Sequence, residues 1–71
     1  MVNVGDLCWD VVTKALWVVK DIWWCPIVED YKYDLMNPKD LMIITTNDTV
    51  VTNMRADFLK RTKNVLYKSE E

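Results

Sequence analysis

The run Ala15-Leu16-Trp17-Val18-Val19-Lys20-Asp21-Ile22-Trp23-Trp24-Cys25 decides the fold: it is the densest apolar stretch of the chain and holds three of its four tryptophans. Read as a strand, it follows a first strand Leu7–Val11 through a turn at Val12-Thr13-Lys14. Val18-Val19, Ile22 and the tryptophans favour this reading, since stiff β-branched and broad aromatic side chains pack well on a pleated surface. Strict alternation sets Leu16, Val18, Lys20, Ile22 and Trp24 on one face and Trp17, Val19, Asp21 and Trp23 on the other. Both faces then mix charge with apolar bulk, and a β-bulge near Lys20-Asp21 would separate the two. Read as a helix capped by Asp6, residues 6–24 place Asp6, Asp10, Thr13, Lys14, Lys20 and Asp21 near a 3.6-residue period, with Trp17 inside the polar stripe. That alternative gives an α+β domain, an N-terminal amphipathic helix packed on a three-stranded antiparallel meander.

Pro26 ends the run, because it lacks the N–H that a central strand needs. Ile27 to Asp30 connect it to Tyr31-Lys32-Tyr33-Asp34-Leu35, whose alternation of aromatic and charged residues predicts a strand. Asn37-Pro38-Lys39-Asp40 reads as a turn with proline at its second position. Leu41 to Thr46 predict a further strand, Asn47-Asp48 a two-residue hairpin turn, and Thr49 to Asn53 the return strand. Met54 to Arg61 fit one short helical or 3₁₀ turn that buries Met54, Phe58 and Leu59. Asn64 to Lys68 predict a closing strand and 69–71 a frayed end. The expected domain is therefore one small unit over residues 1–68.

A chain of 71 residues hides only about 60% of its unfolded surface on folding. Yet 51% of its residues are apolar, with four Trp, three Tyr and four Met. That is more bulk than one small core covers, so the surplus is expected to meet a ligand, a partner protein or a second copy. The formal charge of −2 argues against a general nucleic-acid binder, which carries a basic surplus to displace counterions from phosphates. The bases gather late: Arg55, Lys60, Arg61, Lys63 and Lys68 all follow Met54.

Ordinary catalytic and metal chemistry lacks its residues. No histidine is present, so the commonest base and nitrogen ligand is missing. Cys8 and Cys25 form no Cys-X-X-Cys pair, and two thiols alone do not make a structural zinc site. The single glycine, Gly5, cannot form a glycine-rich phosphate loop. Hence no enzyme activity, metal or cofactor is expected. The longest charge-free apolar segment, Ile22 to Val28, is too short for a bilayer, and no basic-then-apolar leader opens the chain. The expectation is a cytoplasmic protein with two free thiols.

Two groups remain as candidate binding residues. Trp23 and Trp24, adjacent on a strand, point to opposite faces, so at least one is available as a stacking platform or an anchor for a partner. Trp9 and Trp17 read as structural. Arg55, with Lys60 and Arg61 and the nearby Lys63, offers phosphate-binding charge, and Thr45, Thr46, Asn47 and Asn53 offer neutral hydrogen bonds. Tyr31 and Tyr33 either line the same surface or form a cross-strand aromatic pair.

The order of short strands, a tight helical turn and a closing strand resembles the SH3-like small β-barrels, including those of phage and bacterial accessory proteins. The matching segments are Val4-Gly5-Asp6-Leu7, Leu16-Trp17-Val18-Val19, Tyr33-Asp34-Leu35-Met36-Asn37-Pro38 and Phe58-Leu59-Lys60-Arg61. Trp23-Trp24-Cys25-Pro26 departs from that pattern, where a polar loop is usual. The resemblance implies an all-β barrel of five or six strands that binds rather than catalyses. It also implies a phage-encoded counter-defence or host-interference factor. Two mechanisms follow as expectations: a homo-oligomer that sequesters a small nucleotide ligand between aromatics and Arg or Lys, or a module that docks on a host protein and blocks it.

Overall fold

The computed structural model describes the backbone of residues 1–70 and the side chains of residues 1–63. Its strands are β1 (Leu7–Asp10), β2 (Ala15–Cys25), β3 (Asp30–Met36) and β4 (Ile43–Asn47), and its helix is α1 (Asp48–Glu70). The strands pair antiparallel in sequence order as one four-stranded sheet. Asp10 closes the first hairpin by accepting from the Val12 N–H at 3.0 Å and the Thr13 hydroxyl at 2.9 Å. The Thr13 hydroxyl, and to a lesser degree the backbone donors, hold the Asp10 carboxyl below its ordinary pKa. Each of the three strand connections carries one non-glycine residue in the left-handed region: Lys14, Glu29 and Leu41, with φ of 56, 53 and 64°.

The long run is a strand, and it carries the bulge that its charge pattern demands. β2 pairs Val19 with Leu35 and then Asp21 with Asp34, so one residue slips between them. Without that slip Asp21 would follow Trp17 and Val19 onto the inner face. With it, Asp21 turns outward and Ile22 takes the inner place opposite Tyr33. The helical alternative for residues 6–24 is thereby overturned.

The second half departs further from expectation. The sheet is open, with β1 and β4 at its two edges, and it is not a barrel of five or six strands. The hairpin turn at Asn47-Asp48, the return strand Thr49–Asn53, the short turn at 54–61 and the closing strand 64–68 are all replaced by α1. Ser69 and Glu70, expected to fray, continue that helix, and Glu71 lies outside the described residues. The physical reason lies at the junction. Asn47 Oδ1 accepts from the Val50 N–H at 2.9 Å and so caps the helix, and Asp48 sits in the first turn, where the helix dipole favours an acid. Val51, Met54, Arg55 and Phe58 then recur at helical spacing. Val51 and Met54 are buried and the other two half-buried. This stripe outweighs the strand preference of Val50-Val51.

The core lies between α1 and one face of the sheet. Cys8, Val19, Leu35 and Val51 are fully enclosed, and Val2, Trp17, Tyr33 and Met54 complete the cluster. Each large apolar side chain there contributes about 1.5–3 kcal/mol. The Trp17 indole N–H is buried among them and has no hydrogen-bond partner among the described residues. Leu59 to Lys63 are all exposed. Leu59, expected to be buried beside Met54 and Phe58, is therefore a surface residue.

Candidate functional site

The candidate residues separate into three places. At the Cys25 end of β2, Trp24 lies opposite Tyr31. Their rings meet edge to face with centroids 5.2 Å apart, the cross-strand aromatic pair foreseen in part for the tyrosines. Tyr31 and Tyr33 line a groove of about 630 Å³ between the sheet, the N-terminal segment and the start of α1. Its other walls are Met1, Val2, Asn3, Ile22, Asp30, Asp48 and Thr52. The Tyr33 hydroxyl donates to Asp48 Oδ1 at 2.7 Å. That bond, with burial and the Asp48 charge, pushes the phenol pKa up to about 12. Its described lining includes the Asp30 and Asp48 carboxylates and no Lys or Arg side chain.

Trp23 occupies the opposite face. Its indole N–H donates to Asp34 Oδ1 at 3.2 Å, and the Thr45 hydroxyl donates to the same oxygen at 2.8 Å. Trp23 and Thr45 are thus tied into a polar cross-strand cluster on the outer face of the sheet. Thr46, opposite Tyr33, lies on the inner face, and Asn47 spends its side-chain oxygen on the helix cap.

The bases form the third place, at the outer edge of β1. Arg55 Nη1 donates to the Leu7 carbonyl at 2.8 Å, and its Nε lies 3.8 Å from Asp6 Oδ2. Its guanidinium also stands 5.6 Å from the centre of the Phe58 ring. The Arg61 guanidinium covers the Trp9 ring at 4.1 Å, a cation–π contact that fixes both side chains. Lys60 and Lys63 are exposed. Arg55, within α1, is therefore held against the β1 edge, and its donors face Leu7 and Asp6.

The two expected halves of a nucleotide site are not brought together. Leu7 pairs with Val18 and Tyr31 with Trp24, so the Arg55 end and the aromatic end are separated along β2 by roughly 17–20 Å. Nor are the thiols close partners in chemistry: both are free, Cys8 is enclosed and Cys25 is half-buried. Burial pushes the Cys8 thiol up, against the opposing charge of Arg55. Among the described residues no group of three or more His, Cys, Asp or Glu could hold a metal ion, and no helix is long and apolar enough to cross a membrane.

What the sequence reasoning missed is a surface on the face that α1 leaves bare. Leu7, Val18, Met36 and Ile43 are paired neighbours on that face, one from each strand. Leu16 follows in the next row, beside Trp9, whose ring the Arg61 guanidinium already covers. The signal was present in β2: before the bulge it is apolar on both faces, the mark of a strand that is covered twice. No family model, curated protein or solved structure matches the chain.

Proposed function

We propose that the protein is a non-catalytic binding module that receives an apolar surface of another protein on the bare face of its sheet. One observation carries this reading: the row Leu7, Val18, Met36 and Ile43, continuous through all four strands on the face opposite the helix. An antiparallel sheet with one solvated face normally presents polar side chains there, and a contiguous apolar patch on a small protein marks an interaction surface. Asp21, Lys32, Asp34 and Thr45 follow along the same face beyond the bulge and give the patch a polar border. A phage-encoded factor that blocks a host protein is the narrower form of this proposal, and it rests on the resemblance to small barrels alone.

The test is a double variant, Val18→Lys with Met36→Lys. Both residues are half-buried and lie outside the core, so the circular dichroism spectrum is expected to be preserved. A partner that co-purifies stoichiometrically with the native chain is expected to bind the variant at least ~10-fold more weakly, since two desolvated charges oppose docking. Equal binding by both chains contradicts the proposal. The nucleotide reading has its own arm: a panel of cyclic and linear nucleotides is titrated while tryptophan fluorescence and melting temperature are followed. No shift is expected, and a saturable one returns the function to ligand sequestration.

A further inference from the structure

β4 is an edge strand with nothing to protect it. Among the described elements it touches only β3 and α1. Native sheets blunt such edges with lysine, proline, a bulge or a covering segment. β4 reads Ile43-Ile44-Thr45-Thr46-Asn47, without charge or proline, and its pairing with β3 runs without a register shift. Around it the surface is apolar and held open at a cost. Leu41, Met42 and Ile43 are 66, 57 and 60% exposed, and Leu41 keeps a φ of 64° that glycine or asparagine adopts far more readily. Backbone strain that displays a large apolar side chain to solvent points to a contact.

The ladder says which groups are free. Asn37 N–H donates to the Met42 carbonyl at 2.8 Å, and the register pairs Leu35 with Ile44 and Tyr33 with Thr46. Hydrogen-bonded pairs alternate along an antiparallel ladder, so these positions bond to β3. Ile43, Thr45 and Asn47 therefore turn their main-chain N–H groups outward, and Ile43 and Thr45 their carbonyls.

We propose that this edge pairs with β4 of a second copy of the chain, antiparallel about a two-fold axis at Thr45. In that register Thr45 faces Thr45, and each exchanges N–H and carbonyl with the other. Ile43 faces Asn47 of the second copy, whose N–H meets the Ile43 carbonyl. All five residues of each β4 are matched, and no charged side chain meets its own copy across the axis, which a strand bearing a lysine or an acid there would not permit. Leu41 and Met42 come to lie against the start of the second copy's helix, where Val50 is itself 43% exposed. The pairing does not depend on the face proposed to receive another protein.

Sedimentation velocity and native mass spectrometry on the full chain, with four variants, test this. The native chain is expected to run at twice its mass of 8.4 kDa. Thr45→Pro removes an outward N–H that β3 does not use, and is expected to halve the mass while the circular dichroism spectrum stays native. Thr45→Lys and Thr45→Glu are each expected to be monomeric, and an equimolar mixture of the two to recover the dimer. Val18→Lys with Met36→Lys is expected to remain dimeric, which separates this interface from the protein-binding face. A native chain that is monomeric up to hundreds of micromolar, or a dimer that survives Thr45→Pro, overturns the proposal. So does a Lys and Glu mixture that stays monomeric although both chains are folded.

Discussion

The two edges of this sheet are built in opposite ways. At β1, α1 lies alongside, Arg55 fills the outward Leu7 carbonyl and Arg61 roofs Trp9. At β4, no side chain of the described residues caps the strand, and apolar residues surround it. One helix cannot cover both edges and both faces of a four-stranded sheet, so its placement decides which surfaces are closed and which are left for partners. Two of the bases that the sequence offers for a ligand, Arg55 and Arg61, lie instead against β1. The side that looked like plain scaffold is the one left open.

The largest expected effect comes from undoing the cover itself. Val51 is fully buried between α1 and the sheet, and Val51→Asp places an unpaired carboxylate there at a cost of about 3 kcal/mol or more. For so small a domain this approaches the whole stability. Urea unfolding followed by circular dichroism is expected to show loss of the cooperative transition, and an unchanged midpoint would mean that α1 does not sit on the sheet.

A more selective change opens β1 alone. Arg55→Met removes the donor to Leu7 and the contact with Asp6 while keeping an apolar stem. It is expected to cost about 1–2 kcal/mol and to give species larger than a dimer in sedimentation, because both edges are then free. Asn47→Ala is smaller, about 1 kcal/mol through the lost helix cap. It should lower helicity near Asp48 and leave the β1 edge closed. A stability equal to the native chain would show that the Asn47 side chain serves something other than the cap.

The smallest effect is one of pH, at the groove beside α1. The folded chain holds the Tyr33 proton to about 12, while the unfolded chain releases it near 10. The neutral phenol therefore favours the folded state. Its contribution is complete below pH 10, falls as pH rises through 12, and levels off beyond. Tyr33→Phe is expected to flatten that part of the stability curve, measured by urea midpoints between pH 9 and 12. An unchanged slope would show that the bond to Asp48 is not formed in solution.

Much of the sheet was readable because alternation and turn chemistry are local. Tyr31 to Leu35 alternate cleanly, Pro26 marks an end, and the misplaced charge at Lys20-Asp21 reveals the bulge before any pairing is known. The helix was hidden by three local signals that agree on the wrong answer. Asn47-Asp48 suits a two-residue turn, Thr49 to Thr52 are β-branched, and the pair Val50-Val51 fits a return strand. Only the longer period from Val51 through Met54 and Arg55 to Phe58 distinguishes a helix, and it emerges when the segment is read as one element rather than as three. Trp23 and Trp24 were legible in one respect, that they face opposite ways. Which way each faces depends on the single-residue slip at the bulge. The roles of Arg55 and Arg61 were not legible, since the Leu7 carbonyl and the Trp9 ring that they occupy lie across the fold. No local pattern records that.

Amide-resolved hydrogen exchange on the native chain at high and low protein concentration tests the contrast between the edges most directly. The account predicts that the outward amides of Thr45 and Asn47 are protected when concentrated and lose that protection on dilution, while exchange at Leu7 stays the same at both concentrations. Exchange at Thr45 and Asn47 that ignores concentration, or a concentration effect confined to the β1 edge, would contradict it.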